Sequence, residues 1–198
     1  MLGGDYALFG AYPSETLDRL NALDAAWIRG NTERWLEDSS DMPGGELTER
    51  SLAYCREALG ETAHALAALP PTADADGALI CHASPRSDMK SFAPTPGVAD
   101  AELLADGDPD LIVFGHTHVQ FQRASGRHTL VNPGSVGLPF DGDRRAAYAL
   151  WRGGTDFELR RVEYDAGAYA AAVRDRLAVT LGGAVETLVK RVEEAAFA

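Results

Sequence analysis

LIVFGHTH, residues 111–118, is an apolar run that stops at a glycine and is followed at once by two histidines one residue apart. Leu111 to Phe114 shows no polar alternation, the pattern of a strand buried on both faces. Gly115 permits a tight exit, which puts His116 and His118 at the carboxyl end of that strand, where open α/β sheets form their sites. The same arrangement recurs upstream. ALIC (78–81) runs into His82, AAWI (25–28) closes on Arg29-Gly30-Asn31, and GGD (3–5) ends on Asp5. Four segments thus bring a carboxylate, an amide oxygen and three imidazoles toward one edge. That mixture suits a borderline transition metal rather than calcium, which takes oxygen alone. An HxH pair by itself reads as well as two solvated loop histidines. The three other segments, in this order, decide for a metal.

The surrounding chain alternates. SETLDRLNAL (14–23) spaces Leu17, Leu20 and Leu23 for a helix, with Ser14 as its N-cap. Leu47 to Leu69 is helical in pattern and stops at Pro70-Pro71, and Ala101 to Leu104 forms a short helix. VQFQR (119–123) and HTLVN (128–132) make a hairpin around Ser125-Gly126. AAYALW (146–151) and FELRRVEY (157–164) pair around Gly153-Gly154, and Ala168 to Ala198 is helical with a break at Gly182-Gly183. Strand and helix units come first and a meander follows, which predicts one α/β domain over residues 1–198.

The 198 residues are 45% hydrophobic and 24% charged, the balance of a globular chain. No apolar run approaches membrane-spanning length, and the N-terminus has no basic leader, so no membrane partner is expected and the cytoplasm is the expected location. A formal charge of −12 argues against an extended nucleic-acid footprint. It leaves room for a small anionic substrate, because bound dications reverse the local field. Cys55 and Cys81 have no CxxC partner and read as reduced core thiols.

With these motifs in place, the chain resembles the calcineurin-like metallophosphoesterases, in particular their small bacterial and archaeal phosphodiesterase-type branch. GDYALFGAYP (4–13), GNTE (30–33), HASP (82–85), GHTH (115–118) and NPGSVG (132–137) follow in that branch's order over nearly the whole chain. The resemblance implies a layered α/β/β/α sandwich of two mixed sheets with helices outside. It implies Asp5 as the carboxylate bridging two metals, Asn31, His82 and His116 as further ligands of one ion, and His118 as a ligand of the other. All five are the expected metal ligands, with Asp5, Asn31 and His82 also carrying catalysis. Asn132 to Gly137 is expected to be a structural turn beside the site. The implied activity is hydrolysis of a small phosphoester, a diester first, by in-line attack of a hydroxide held between two ions. Mn²⁺ is the first choice of metal, with Fe, Zn and Ni as alternatives. Homo-oligomerisation is left open.

Two features depart from the family pattern. The family's DxH motif lies on a first strand, a strand-helix-strand unit upstream of the bridging aspartate, and no DxH occurs here. The expected fold therefore lacks its first strand and helix, and one or no metal is expected in place of two. A start codon placed too late, or a trimmed chain, is preferred over a naturally shortened paralogue, because a lost strand would leave a raw sheet edge. Such a form is expected to be at least ~100-fold slower than one carrying the motif. The second departure is Thr32, where members with GNHD place a histidine. Its hydroxyl is too weak an acid to protonate a leaving group near pH 7. Glu33 reads as a solvated carboxylate or as support for the site, and Arg34 and Arg86 as solvated surface cations more than phosphate ligands. His64 and His128 are read as non-functional. The competing reading is a non-catalytic metal-binding or regulatory module with a degenerate site.

Overall fold

The computed structural model describes residues 1–197. Three apolar runs form the centre of a five-stranded mixed sheet. They are β2 (Ala78–Cys81), β3 (Leu111–Val113) and β5 (His128–Asn132), mutually parallel and ordered β2-β3-β5. Ala78, Ile80, Leu111, Ile112, Leu130 and Val131 are all buried there, as strands covered on both faces require. β4 (Phe121–Ser125) closes one edge antiparallel to β5, and β1 (Thr72–Ala75) closes the other antiparallel to β2. Ile80, Val113 and Val131 lie side by side in register. Residues 82, 115–118 and 133–134 therefore leave the sheet together at its carboxyl edge.

A second sheet, β6 (Ala146–Trp151) and β7 (Phe157–Val162), packs Trp151, Phe157 and Leu159 against Ile28, Ala78, Ile80 and Val131. Phe92, Leu103, Phe114 and Leu130 form a separate cluster, to which α5 (Asp100–Leu103) contributes. The N-terminal helices α1 (Pro13–Asn21), α2 (Asn31–Trp35), α3 (Glu46–Leu59) and α4 (Thr62–Ala67) share a core of Leu17, Trp35, Leu52, Cys55 and Leu66. The long α6 (Ala166–Leu181) and α7 (Val185–Glu194), joined by a 3-10 turn, bury Val173, Leu177, Leu188 and Val189 with Ala11. The mixed α/β architecture of two sheets with helices is the one expected. No helix among the described residues is long and apolar enough to cross a membrane.

Several local expectations need correction. Ser14 does not cap α1: Tyr12 holds that position, Pro13 opens the helix, and the Ser14 hydroxyl donates to the Ala58 carbonyl at 3.0 Å. AAWI is the short apolar run expected, and a parallel bridge links its Trp27 to Leu2. Leu47 to Leu69 splits into α3 and α4 at Gly60, whose φ of 51° ends α3 in the left-handed region. β1 was not expected, although Asp76-Gly77 announces it. Both residues have positive φ (49° and 81°) and make the two-residue turn into β2. Ala198, the end of the expected C-terminal helix, lies outside the described residues. Cys55 and Cys81 are free and buried, and burial pushes both thiols up to about 12.

Candidate metal centre

The carboxyl edge of the sheet meets two N-terminal segments, residues 3–6 and residues 29–33, the second of which runs into α2, at the His82 ring. That approach requires glycine twice. A Cβ on Gly4, which sits at φ 96°, would lie 2.6 Å from Gly30 N and 2.6 Å from His82 Nδ1. One on Gly30 would lie 2.6 Å from Asp5 Oδ1 and 2.7 Å from His82 Cε1. Three of the five candidate ligands hold left-handed backbones that side chains rarely adopt: Asp5 (φ 60°), His116 (62°) and His118 (57°). Strain of this kind concentrates at functional sites and persists only where the surroundings enforce it.

The five residues converge. His82 Nε2 lies 2.9 Å from Asn31 Oδ1, 3.3 Å from His116 Nδ1 and 3.3 Å from Asp5 Oδ2. His116 Nδ1 lies 3.0 Å from Asn31 Oδ1. His118 Nε2 stands 3.5 Å from Asp5 Oδ2 and does not join the tight group of Asp5, His82 and His116. Second hydrogen bonds fix two tautomers. His82 Nδ1–H donates to the Gly3 carbonyl at 2.7 Å and His118 Nδ1–H to the Leu138 carbonyl at 2.6 Å. Each ring thereby turns its Nε2 lone pair toward Asp5, as metal-binding histidines do.

The donor set fits a metal ion. Asp5 Oδ2, Asn31 Oδ1, His82 Nε2 and His116 Nδ1 are all acceptors in their metal-ready forms, and they crowd together with 2.9–3.3 Å between neighbours. Ligands ~2.1 Å from one ion stand about 3.0–3.4 Å apart along the edges of an octahedron or tetrahedron. The titration behaviour expresses the same demand for positive charge. Burial pulls the His82 pKa down, but the Asp5 charge, its hydrogen bond and the Gly3 carbonyl outweigh that and raise it to about 9. Burial tends to raise the Asp5 pKa, yet the neighbouring His82 and His118 hold it well below the usual carboxylate range. Burial and the charge of His82 press His116 down to about 4, so its ring is neutral and free to ligate.

Glu33 is a residue beside the candidate ligands whose place the sequence left undecided. It is 1% exposed, not solvated. Its Oε2 accepts from Asp5 N and Gly30 N and its Oε1 from Tyr6 N, each at 2.8 Å, so one buried carboxylate stitches both segments together. Burial, then the Asp5 charge, raises its pKa. The residue before it is also committed: Thr32 Oγ1 lies 2.8 Å from Asp5 Oδ1. Arg34 makes forked contacts to both Asp88 and Asp41, tying α2 to the loop that follows His82. Arg86 pairs with Asp108. Asn132, wholly buried, holds the His loop through Gly115 O at 2.8 Å and Thr117 Oγ1 at 3.0 Å, and its own turn through Gly134 N at 2.9 Å. Phe140, which no motif announces, stacks on His118 with 4.9 Å between ring centroids. His64 faces solvent beside Glu37, and His128 is buried against the Pro109 carbonyl.

Solved structures share this architecture. A metallophosphoesterase from Sphaerobacter thermophilus superimposes with a TM-score of 0.76 at 24% identity, covering 98% of this chain and 87% of that one. A hypothetical protein from Pyrococcus horikoshii gives 0.77 at 19%, covering 98% and 84%. An uncharacterized protein of Methanocaldococcus jannaschii is 37% identical across a match covering 37% of this chain and 37% of that protein. The match thus spans little over a third of that relative's length. Most decisive for kinship is the family model described as the calcineurin-like phosphoesterase superfamily domain, which matches residues 2–153, all four site-bearing segments included. With that span of sequence and this fold in agreement, the chain belongs to the calcineurin-like phosphoesterase superfamily.

Proposed function

We propose that this chain is a metal-dependent phosphoesterase acting on small phosphodiesters. The observation that carries the reading is the convergence of Asp5 Oδ2, Asn31 Oδ1, His82 Nε2 and His116 Nδ1 into a cluster spaced like the ligands of one ion. These four would hold one ion, with Mn²⁺ the first choice. His118 Nε2, 3.5 Å from Asp5 Oδ2, is the donor that would serve a second ion in a site completed by the family's DxH ligands, which this sequence lacks. When bound, such ions supply positive charge to the phosphoryl oxygens and acidify the attacking water. The protein's own part is to fix these donors in place and to bury His82 and Asn31 so that their orientation is not lost to solvent. The diester preference rests on Thr32. Its hydroxyl proton is directed at Asp5 Oδ1, so this position offers the leaving group no proton. Substrates whose leaving group departs as a weak base then have the advantage. A cytoplasmic setting agrees with the two free, buried thiols.

The test is an assay with Mn²⁺ on bis(p-nitrophenyl) phosphate and on a simple alkyl phosphate, comparing the chain with His116→Ala. The expected outcome is faster hydrolysis of the diester and a fall of at least ~100-fold in kcat/KM for the variant, which corresponds to about 2.7 kcal/mol of transition-state stabilisation. Equal rates for the two proteins would exclude the site. A chain that binds Mn²⁺ but hydrolyses neither ester would be a non-catalytic metal-binding module.

A further inference from the structure

We infer that Thr32 is a positioning residue that makes Asp5 a one-oxygen ligand. The inference rests on the metal-centre reading above and adds a role for a side chain that is not itself a ligand. The two Asp5 oxygens live in different surroundings. Oδ2 faces the rings, 3.3 Å from His82 Nε2 and 3.5 Å from His118 Nε2. Oδ1 is turned away and enclosed. It accepts from Thr32 Oγ1 at 2.8 Å and from Thr32 N at 3.3 Å, and it packs so closely on Gly30 that a Cβ there would come within 2.6 Å.

The Thr32 hydroxyl has a single hydrogen and two carboxylate oxygens in reach, Asp5 Oδ1 at 2.8 Å and Glu33 Oε1 at 3.1 Å. Glu33 already receives three backbone N–H groups, from Asp5, Tyr6 and Gly30. The hydrogen therefore goes to the nearer oxygen, Asp5 Oδ1, whose other donor, Thr32 N, stands at 3.3 Å, whereas Glu33 Oε1 already holds Tyr6 N at 2.8 Å. With Oδ1 engaged, the carboxylate cannot swing to chelate one ion through both oxygens. Only Oδ2 is offered, at a point between His82 and His118. Thr32 is 5% exposed and Glu33 1%, so solvent does not compete for these bonds.

The experiment measures Mn²⁺ affinity by isothermal titration calorimetry, together with the visible absorption of the Co²⁺-loaded protein, which reports coordination number. Thr32→Val keeps the side chain's shape and removes the hydroxyl. Thr32→Ser keeps the hydroxyl and removes the methyl. The expected result is a ~10–100-fold loss of Mn²⁺ affinity and an altered Co²⁺ spectrum in Thr32→Val, with Thr32→Ser within about threefold of the unmodified chain. Thr32→Ala provides the same comparison if the valine variant does not fold. Unchanged affinity and spectrum in Thr32→Val overturn the inference while leaving the metal centre standing. An equal loss in Thr32→Ser overturns it too, because the hydroxyl would then be irrelevant. Failure of the unmodified chain to bind either metal overturns both readings.

Discussion

Gly30 shows how little room the site leaves. The backbone of this residue passes so close to Asp5 and His82 that any side chain would displace one of them, since its Cβ would lie 2.6 Å from Asp5 Oδ1 and 2.7 Å from His82 Cε1. Both targets are held on their far sides, Asp5 by Thr32 and His82 by the Gly3 carbonyl. Neither can yield without moving a candidate ligand. Gly30→Ala is expected to cost about 1–3 kcal/mol of stability, the range of overpacked cores, and to weaken Mn²⁺ binding at least ~10-fold. Urea denaturation and calorimetry check the two effects. Gly183→Ala, whose Cβ would meet nothing within 4 Å, is the control and is expected to stay within about 0.5 kcal/mol. The identities of the five convergent residues were legible in the sequence because four directly follow an apolar run or a glycine and His118 stands two residues beyond His116. Their left-handed backbones and the burial of Glu33 were not. A carboxylate at the start of a helix looks the same in sequence whether it faces water or three N–H groups.

At the scale of elements, the strands that carry the site were readable where burial is two-sided. ALIC and LIVF are continuous apolar runs, and both form central strands. AAWI is equally apolar but shares only the Leu2 bridge, so its composition reports burial rather than pairing. Phe140 had no local signal at all, because its contact with His118 depends on where two distant loops meet. The loops are anchored by paired charges. Asp100 of α5 accepts from Arg123 Nη1 at 2.7 Å and Nη2 at 2.9 Å and from Ser125 Oγ at 2.8 Å, both on β4. Asp141, beyond the histidine stack, is gripped by Arg161 of β7. Burial tends to raise both carboxyl pKa values, but their arginine partners win and hold them below the ordinary value. A carboxylate lowered in the folded state stabilises the fold fully above its unfolded pKa of ~3.9 and loses that contribution as pH falls through the folded value. The contribution of these two carboxylates is therefore expected to hold down to about pH 5 and to fade below it, so Asp100→Asn is expected to have a lower urea midpoint at neutral pH, by a difference that shrinks in acid and gives the variant a shallower decline. An acid decline identical to that of the unmodified chain would remove Asp100 from the explanation.

Over the whole molecule, a net charge of −12 surrounds a centre that, on this reading, binds cations and acts on anions. The contradiction resolves only if metal is present, because bound ions supply the local positive charge that the chain lacks. The α/β class was visible from the alternation of apolar runs with helical stretches. The pairing of β6 with β7 was foreseen too, but the face they cover depends on Trp151, Phe157 and Leu159 meeting Ile28 and Val131 from remote parts of the chain. On this reading everything functional depends on the ion. The most direct measurement is an anomalous difference map from crystals of the chain saturated with Mn²⁺, recorded at the manganese absorption edge. The expected result is a peak within about 2.0–2.3 Å of Asp5 Oδ2, Asn31 Oδ1, His82 Nε2 and His116 Nδ1. A saturated crystal with no peak among those four atoms, or with manganese bound elsewhere, would contradict the assignment of this cluster as the metal centre.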